Sequence, residues 1–574
     1  LVEIADDVHP SVVLAASSIA LSTGILTIEA SESVDHSSVI VSGITIRDVV
    51  SGGAVISLVG AVPIIPSGRS PIFEIQLTEL QRVSVIEISN TKGGDGSNSI
   101  LNIAANTFAD LSSNAIESNA DNVGLAEVAD DTLPVLESAT LDLENGILRL
   151  VPSEIVDVEP GTNVVPSKFQ INDQTGVTVV QLSLPFATIF GQTNQQSFQL
   201  KLTESQRAAA IAISGQPGGD LVATRLDIEA GAYKDIATNL NVQQLNLLIT
   251  ESPDITHPSI VSAAIFLNNP TARVEITANE TIDVYPASNV VLSKVQLKDD
   301  DFTLGLTSAT VVTTNGVTVT IELTETQRVQ AIYHSNTPGG DSSTLLFKTL
   351  SGALQDIATR SSVESVDITM TETADTVDPT LTAAQIDYGS GIITFDADET
   401  LDFTPVGGQG YDNFNMTLIY ISNSIGEYTI NMDTAQVTTN ADTTQFFVKL
   451  DEADRVAALR ISSTPGGDEG AGVTREEAFV EVKPGAVMDV AQNHLSVEQA
   501  LKFSEVPDII KPTGMSAALD YGTGLLQITC SETIESLNLA KIKLVNIHGD
   551  TDYVIDDGLI IEQDAVTVTI KLSE

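Results

Sequence analysis

Carboxylates at repeated spacings are the residues of this sequence best placed to do chemistry. The pattern Glu-x-x-Asp-x-x-x-Pro occurs five times, at Glu3/Asp6/Pro10, Glu127/Asp130/Pro134, Glu251/Asp254/Pro258, Glu372/Asp375/Pro379 and Glu505/Asp508/Pro512. Two further acidic motifs keep the same phase. One is a Glu-x-x-Asp loop at Glu154/Asp157, Glu280/Asp283 and Glu399/Asp402; the other is an Asp-Ile-Ala-like loop at Asp110, Asp235, Asp356 and Asp489. Clustered carboxylates repel one another and raise their own pKa values. A hard cation such as Ca²⁺, which takes six to eight oxygens, relieves that repulsion. Calcium is therefore the candidate cofactor. Its candidate ligands are Glu127, Asp130, Glu154, Asp157 and Asp235, then Glu251, Asp254, Glu280, Asp283 and Asp356, then Glu372, Asp375, Glu399, Asp402 and Asp489. The competing reading is that the aspartates cap loops through backbone amides, while the glutamates are solvated or paired with a nearby Lys or Arg. No contiguous EF-hand loop is present.

Other chemistry finds little support. The six histidines (His9, His36, His257, His334, His494, His548) share no position across copies: the slot of His9 and His257 holds Leu133, Asp378 and Lys511 elsewhere. A zinc ligand or general base is not expected from them. No P-loop, Gly-x-Ser-x-Gly elbow or His-Glu-x-x-His occurs, so no catalytic residue is nominated and the chain reads as a non-enzyme. Asn279 and Asn415 head glycosylation sequons, near the number chance would supply.

These motifs mark a repeat. Successive linker glutamates stand 124, 124, 121 and 133 residues apart. A [Thr/Asp]-Glu-x-[Gln/Asp]-Arg segment at Thr78–Arg82, Thr203–Arg207, Thr324–Arg328 and Asp451–Arg455 keeps the period, as does Gly-Gly-Asp at Gly93–Asp95, Gly218–Asp220, Gly339–Asp341 and Gly466–Asp468. The phase divides the chain into units 1–126, 127–250, 251–371, 372–504 and 505–574, the last incomplete. In the second copy, β-like stretches Val135–Leu143 and Ile147–Val151 flank Asn145-Gly146, a hairpin signal. Further strands are expected at Lys168–Asn172, Val177–Ser183, Ser197–Leu202, Ala223–Ala230 and Gln243–Thr250. Seven short strands per unit predict an all-β fold of tandem immunoglobulin-like sandwiches. One short helix per unit starts at the capping box Thr203–Gln206 and is stopped by Pro217-Gly218-Gly219.

The order of Asp-x-x-x-Pro, alternating strands, Ser153-Glu154-Ile155-Val156-Asp157 and Gly231-Ala232-Tyr233-Lys234-Asp235-Ile236-Ala237-Thr238-Asn239 resembles the bacterial-type Ig-like repeats of surface-layer proteins and giant adhesins. The likeness covers every copy, although the usual Gly-Asn ending of the last motif is Thr238-Asn239 in the second copy and Thr359-Arg360 in the third. If strands alternate direction, the linker, the Glu-x-x-Asp loop and the Asp-Ile-Ala loop share one pole of each unit, and Gly-Gly-Asp faces the next unit's linker. That arrangement is similar to the junction carboxylates of cadherins.

Bulk properties narrow the partners without placing the protein, and the acidity equally fits adaptation to a salty habitat. A formal charge of −51, from 26 Lys+Arg against 77 Asp+Glu, disfavours nucleic acid and anionic membranes as partners. One cysteine, Cys530, excludes an intrachain disulfide framework, and no apolar run reaches the roughly 18 residues of a membrane span. The fifth copy stops where the others begin their helix, so either the chain is a fragment or a neighbouring chain completes that fold. The expected role is an extended rod or filament element at the cell surface or in an extracellular appendage, partnered by copies of itself and by other surface proteins or glycans. Alternatives are the stalk of an adhesin with its head outside this chain, and a surface-anchored enzyme with its catalytic domain elsewhere.

Overall fold

A computed structural model describes residues 2–14, 16–49, 53–64, 69–183, 188–190, 194–404, 413–467, 477–549 and 552–573. Asp468, which ends the fourth Gly-Gly-Asp, lies outside them. The chain is all-β, with four two-layered units and a fifth sheet system at the C-terminal end. In the second unit one layer contains Leu136–Asp142, Ile147–Pro152, Phe198–Lys201 and Thr188–Phe190; the other contains Val179–Gln181, Phe169–Asn172 and Arg225–Ile228. The alternation that predicted these strands sets their faces: in Phe198-Gln-Leu-Lys201 the two apolar side chains are buried and the two polar ones half-buried. The strand Thr188–Phe190 was not expected; at three residues it has no periodicity to read.

The closing strand Gln244–Ser252 belongs to both layers. Its first half pairs antiparallel with Arg225–Ile228, and Ile249–Ser252 then pairs parallel with Ala139–Asp142. Gln499–Val506 repeats this in the fourth unit. The linker glutamates Glu127, Glu251, Glu372 and Glu505 therefore sit inside closing strands, in register with Ile19, Leu141, Ile265 and Ile386. The repeat phase thus starts each unit within the last strand of the one before it.

Each helix lies at the end of its unit. Glu79–Glu87, Glu204–Ala212 and Glu325–Tyr333 begin with full capping boxes, and Asp451 caps Glu452–Arg460 by accepting from the Asp454 amide. Every complete unit has its own apolar core. Three of these cores also take in apolar side chains from the next unit's loops: Ile155, Ile236 and Ala237 join the first, Ala358 the second, and Val490 and Ala491 the third. Among the described residues no helix is long and apolar enough to cross a membrane.

Candidate functional site at the domain junctions

The motif Thr-Glu-x-Gln-Arg does more than start a helix. Its glutamate and arginine, three residues apart on one helical face, form a bidentate pair and point into the next unit. Arg207 Nε and Nη2 donate to Glu204 Oε2 and Oε1 at 2.7 and 2.9 Å. Nη1 donates to Asp254 Oδ2 at 2.6 Å and to the Leu143 carbonyl at 2.9 Å; Nη2 also reaches Glu280 Oε2 at 2.8 Å. All five guanidinium hydrogens are engaged, which a lysine could not reproduce. Glu204 Oε1 accepts from the Thr281 amide of the third unit at 2.8 Å.

The same knot recurs at the neighbouring junctions. Arg82 binds Glu79, Asp130 and Glu154; Arg328 binds Glu325, Asp375 and Glu399; Arg455 binds Glu452 and Asp508, with Glu532 at 3.6 Å. Glu79, Glu325 and Glu452 accept from the amides of Ile155, Thr400 and Thr533. Among the described residues Arg328 is the largest fully buried side chain. Burial alone would lower these arginines' pKa, but the carboxylates around them outweigh it and Arg82, Arg207 and Arg328 are held above their ordinary range.

Of each group of five candidate ligands, three come together and two do not. Asp130/Glu154/Asp235, Asp254/Glu280/Asp356 and Asp375/Glu399/Asp489 are all buried, each set offering ligand oxygens within 4.8 Å of one another. Bridges Val156↔Asp235, Ile282↔Asp356 and Leu401↔Asp489 place the two loops side by side, as strand parity implies. The linker glutamates instead point back into the preceding unit, whose closing strand carries them. Glu127 accepts from the amides of Asn90 and Ser99, Glu251 from those of Gly215 and Thr224, and Glu372 from those of Asn336 and Leu345. Asp157 pairs with Lys234 at 3.2 Å, while Asp283 and Asp402 are held by Asn289 and Asn413. Asn279 and Asn415 are exposed.

Each buried cluster has more carboxylate than one guanidinium balances. Burial pushes Glu154 and Glu280 up to about 7 and Glu399 up to about 9, and Asp235, Asp356 and Asp489 up to about 6. Glu280 Oε1, Asp356 Oδ2 and Glu399 Oε1 are buried without a hydrogen-bond partner. The third copy shows why at Asp356. Asn239 and Asn493 donate to Oδ2 of Asp235 and Asp489, but that position is Arg360, which turns to the Asp254 carbonyl.

Gly-Gly-Asp docks on the next unit's Asp-Ile-Ala loop, and in the first copy the preceding Lys92 also lies 3.8 Å from Asp131 of the linker. A Cβ on Gly218, whose φ is +90°, would stand 1.9 Å from the Ile357 carbonyl oxygen; Gly93 and Gly339 meet Ile236 and Val490 in the same way. Gly218→Ala is expected to cost at least about 1–3 kcal/mol from the backbone conformation alone. Because Ile357 must also retreat, faster hydrogen exchange at the Thr281 amide is the measurement that checks it.

The arginine and first-turn glutamate of each knot were the functional residues that sequence reasoning passed over. The signal was present: four of the chain's few basic residues recur at one phase beside a glutamate.

No protein-family profile matches this chain, and no curated protein resembles it significantly. Among solved structures it is similar to the S-layer protein SbsC (11% identity, TM-score 0.15) and to domains 1–6 of surface layer protein SbsC (10%, TM-score 0.15). In both cases 99% of this chain is covered, and the chain spans 63% of the length of those structures. A part of α-2-macroglobulin from Escherichia coli is similar over 56% of this chain and 98% of its own length, at 10% identity and a TM-score of 0.20. Scores this low lie below the level at which two chains superpose overall, so these likenesses lend no weight to a role.

Proposed function

We propose that this chain is a non-catalytic structural element of the cell surface or of an extracellular appendage. In this reading its Ig-like units are set at fixed angles by the arginine knots, and it assembles with copies of itself. The observation that carries the proposal is the knot: one buried arginine gathers carboxylates from both sides of each junction, at four junctions in succession. Such a device serves a protein whose task is to hold a shape. Small-angle scattering of the full chain should fit one extended, stiff outline, and electron microscopy of native material should show lateral association. A freely jointed scattering profile would end the stiff-rod reading. Isolated strands alone would end the array. A stalk for an adhesin head, or for a catalytic domain, would use the same mechanics.

Calcium is a second element of this reading, favoured by the unpartnered oxygens of Glu280, Asp356 and Glu399. The ligand set is then the buried trio at each junction, not the full five. Saturation at about 100 times Kd adds roughly 2.7 kcal/mol per site. Chelation with EGTA should therefore lower the melting temperature measurably, and a melting curve indifferent to EGTA and to added Ca²⁺ removes calcium.

A further inference from the structure

The turn after the third helix holds a donor set that is complete in one copy. Asp299 follows the strand Val295–Lys298, His334 is the C-cap of the helix Glu325–Tyr333, and Asp341 ends Gly339-Gly340-Asp341. His334 Nδ1 lies 3.4 Å from Asp299 Oδ2 and 3.5 Å from Asp341 Oδ2, and the three ligand atoms fall within 4.8 Å of one another. Charge-assisted N–H···O bonds run at about 2.7–2.9 Å, so both contacts are long, and a single N–H cannot satisfy two carboxylates. A spacing of about 3.4 Å is instead the edge of a tetrahedron with metal–ligand bonds of about 2.1 Å. The other oxygen of each aspartate is already held, by the Asp300 and Ser343 amides, which leaves the Oδ2 pair turned toward the imidazole. Phe302 stacks on that ring at 3.7 Å and 10°, fixing its plane.

The other copies act as internal comparisons. Asp48 and Asp173 occupy the Asp299 position, and Asp95 and Asp220 the Asp341 position, while the histidine slot holds Ile88, Ile213 and Ile461. Ile88 and Ile213 are buried. In the third copy a buried isoleucine's place is therefore taken by a nitrogen donor set between two carboxylates.

We propose that Asp299, His334 and Asp341 bind a zinc-type divalent cation, with the fourth position open to water. One imidazole and two carboxylates suit a borderline cation better than calcium, which prefers oxygen alone. The position gives the site a structural consequence. Gly339 abuts the Val490 carbonyl and Tyr333 donates to Asp442 of the fourth unit, so a metal held here stiffens the loop that docks the third unit on the fourth. The site is independent of the proposed surface role.

The test uses the full chain, stripped of metal and kept in excess Mg²⁺ and Ca²⁺ to fill oxygen-only sites. Titrated Co²⁺ should give the intense visible absorption of tetrahedral coordination at one equivalent, which Zn²⁺ then displaces. His334→Ile, which restores the residue of the other copies, should weaken binding at least about 100-fold, and Asp341→Asn should weaken it as well. Absence of the tetrahedral band in the unaltered chain overturns the site, and so does a band that survives His334→Ile.

Discussion

Replacing Arg328 by Met is expected to destabilise the junction of the third and fourth units by about 3–5 kcal/mol, the usual cost of removing one partner from a buried ion cluster. The size follows from what stays behind. Glu325 and Asp375 lose their shared cation and Glu399 loses its guanidinium donor, and Asp375 and Glu399 have no exposed surface through which water could compensate. Methionine fills much of the arginine's volume, so the loss reports charge and hydrogen bonds rather than a cavity. Hydrogen exchange at the Thr400 amide, which donates to Glu325 at 2.8 Å, reads the opening locally in the full chain. Adding Asp375→Asn and Glu399→Gln to Arg328→Met should recover part of the loss, because the two fully buried carboxylates that faced the guanidinium can then no longer carry an unpaired charge, while Glu325 is partly exposed. A single variant indistinguishable from the parent would show that the knot is decoration. A triple variant no better than the single would show that the arginine acts through packing.

Much of this architecture was legible in the sequence, and the parts that were not share a cause. Asn145-Gly146 announced its hairpin because a positive φ is needed there, and Gly146 has φ +64°. Thr203 and Gln206 announced their helix because a capping box is closed within four residues. Strand parity put Glu154 and Asp235 at one pole, and the structure brings them together. The knot was hidden because its partners are far apart in sequence: Arg207 meets Asp254 47 residues away and Glu280 73 residues away. A local reading finds Glu204 and Arg207 satisfied by each other on one helix and asks nothing further. The linker glutamates were misjudged as junction ligands because a strand serving both layers carries them, and which backbone amides a side chain will meet there depends on tertiary register. The grouping of His334 with Asp299 and Asp341 was hidden for the opposite reason: a histidine present in one copy leaves no repeated position to notice.

The junctions should lose stability as the pH rises from about 5 to about 9. Glu399, raised to about 9 by burial, and Glu154 and Glu280, raised to about 7, hold protons in the folded chain at pH values where an unfolded carboxylate has released them. With more protons bound folded than unfolded, the free energy of unfolding falls with pH, by up to about 1.4 kcal/mol per pH unit for each such group. The contribution is complete below the unfolded value near 4.5 and is lost as the pH passes through the folded values. Glu204, Glu325 and Glu452, lowered despite burial by hydrogen bonds and charge from their arginines, act in the opposite sense and lose their contribution only in acid. The two families together place the optimum on the acid side of neutrality. Glu399→Gln isolates the effect, since it keeps the shape and cannot release a proton. Calorimetry of the full chain should show the variant close to the parent at pH 5, with a smaller loss by pH 9. A parent whose stability climbs from pH 5 to 9 would mean that the buried glutamates are already ionised, their charge met by something other than a proton. Restoring the predicted fall with EGTA would identify that counter-charge as a bound divalent cation.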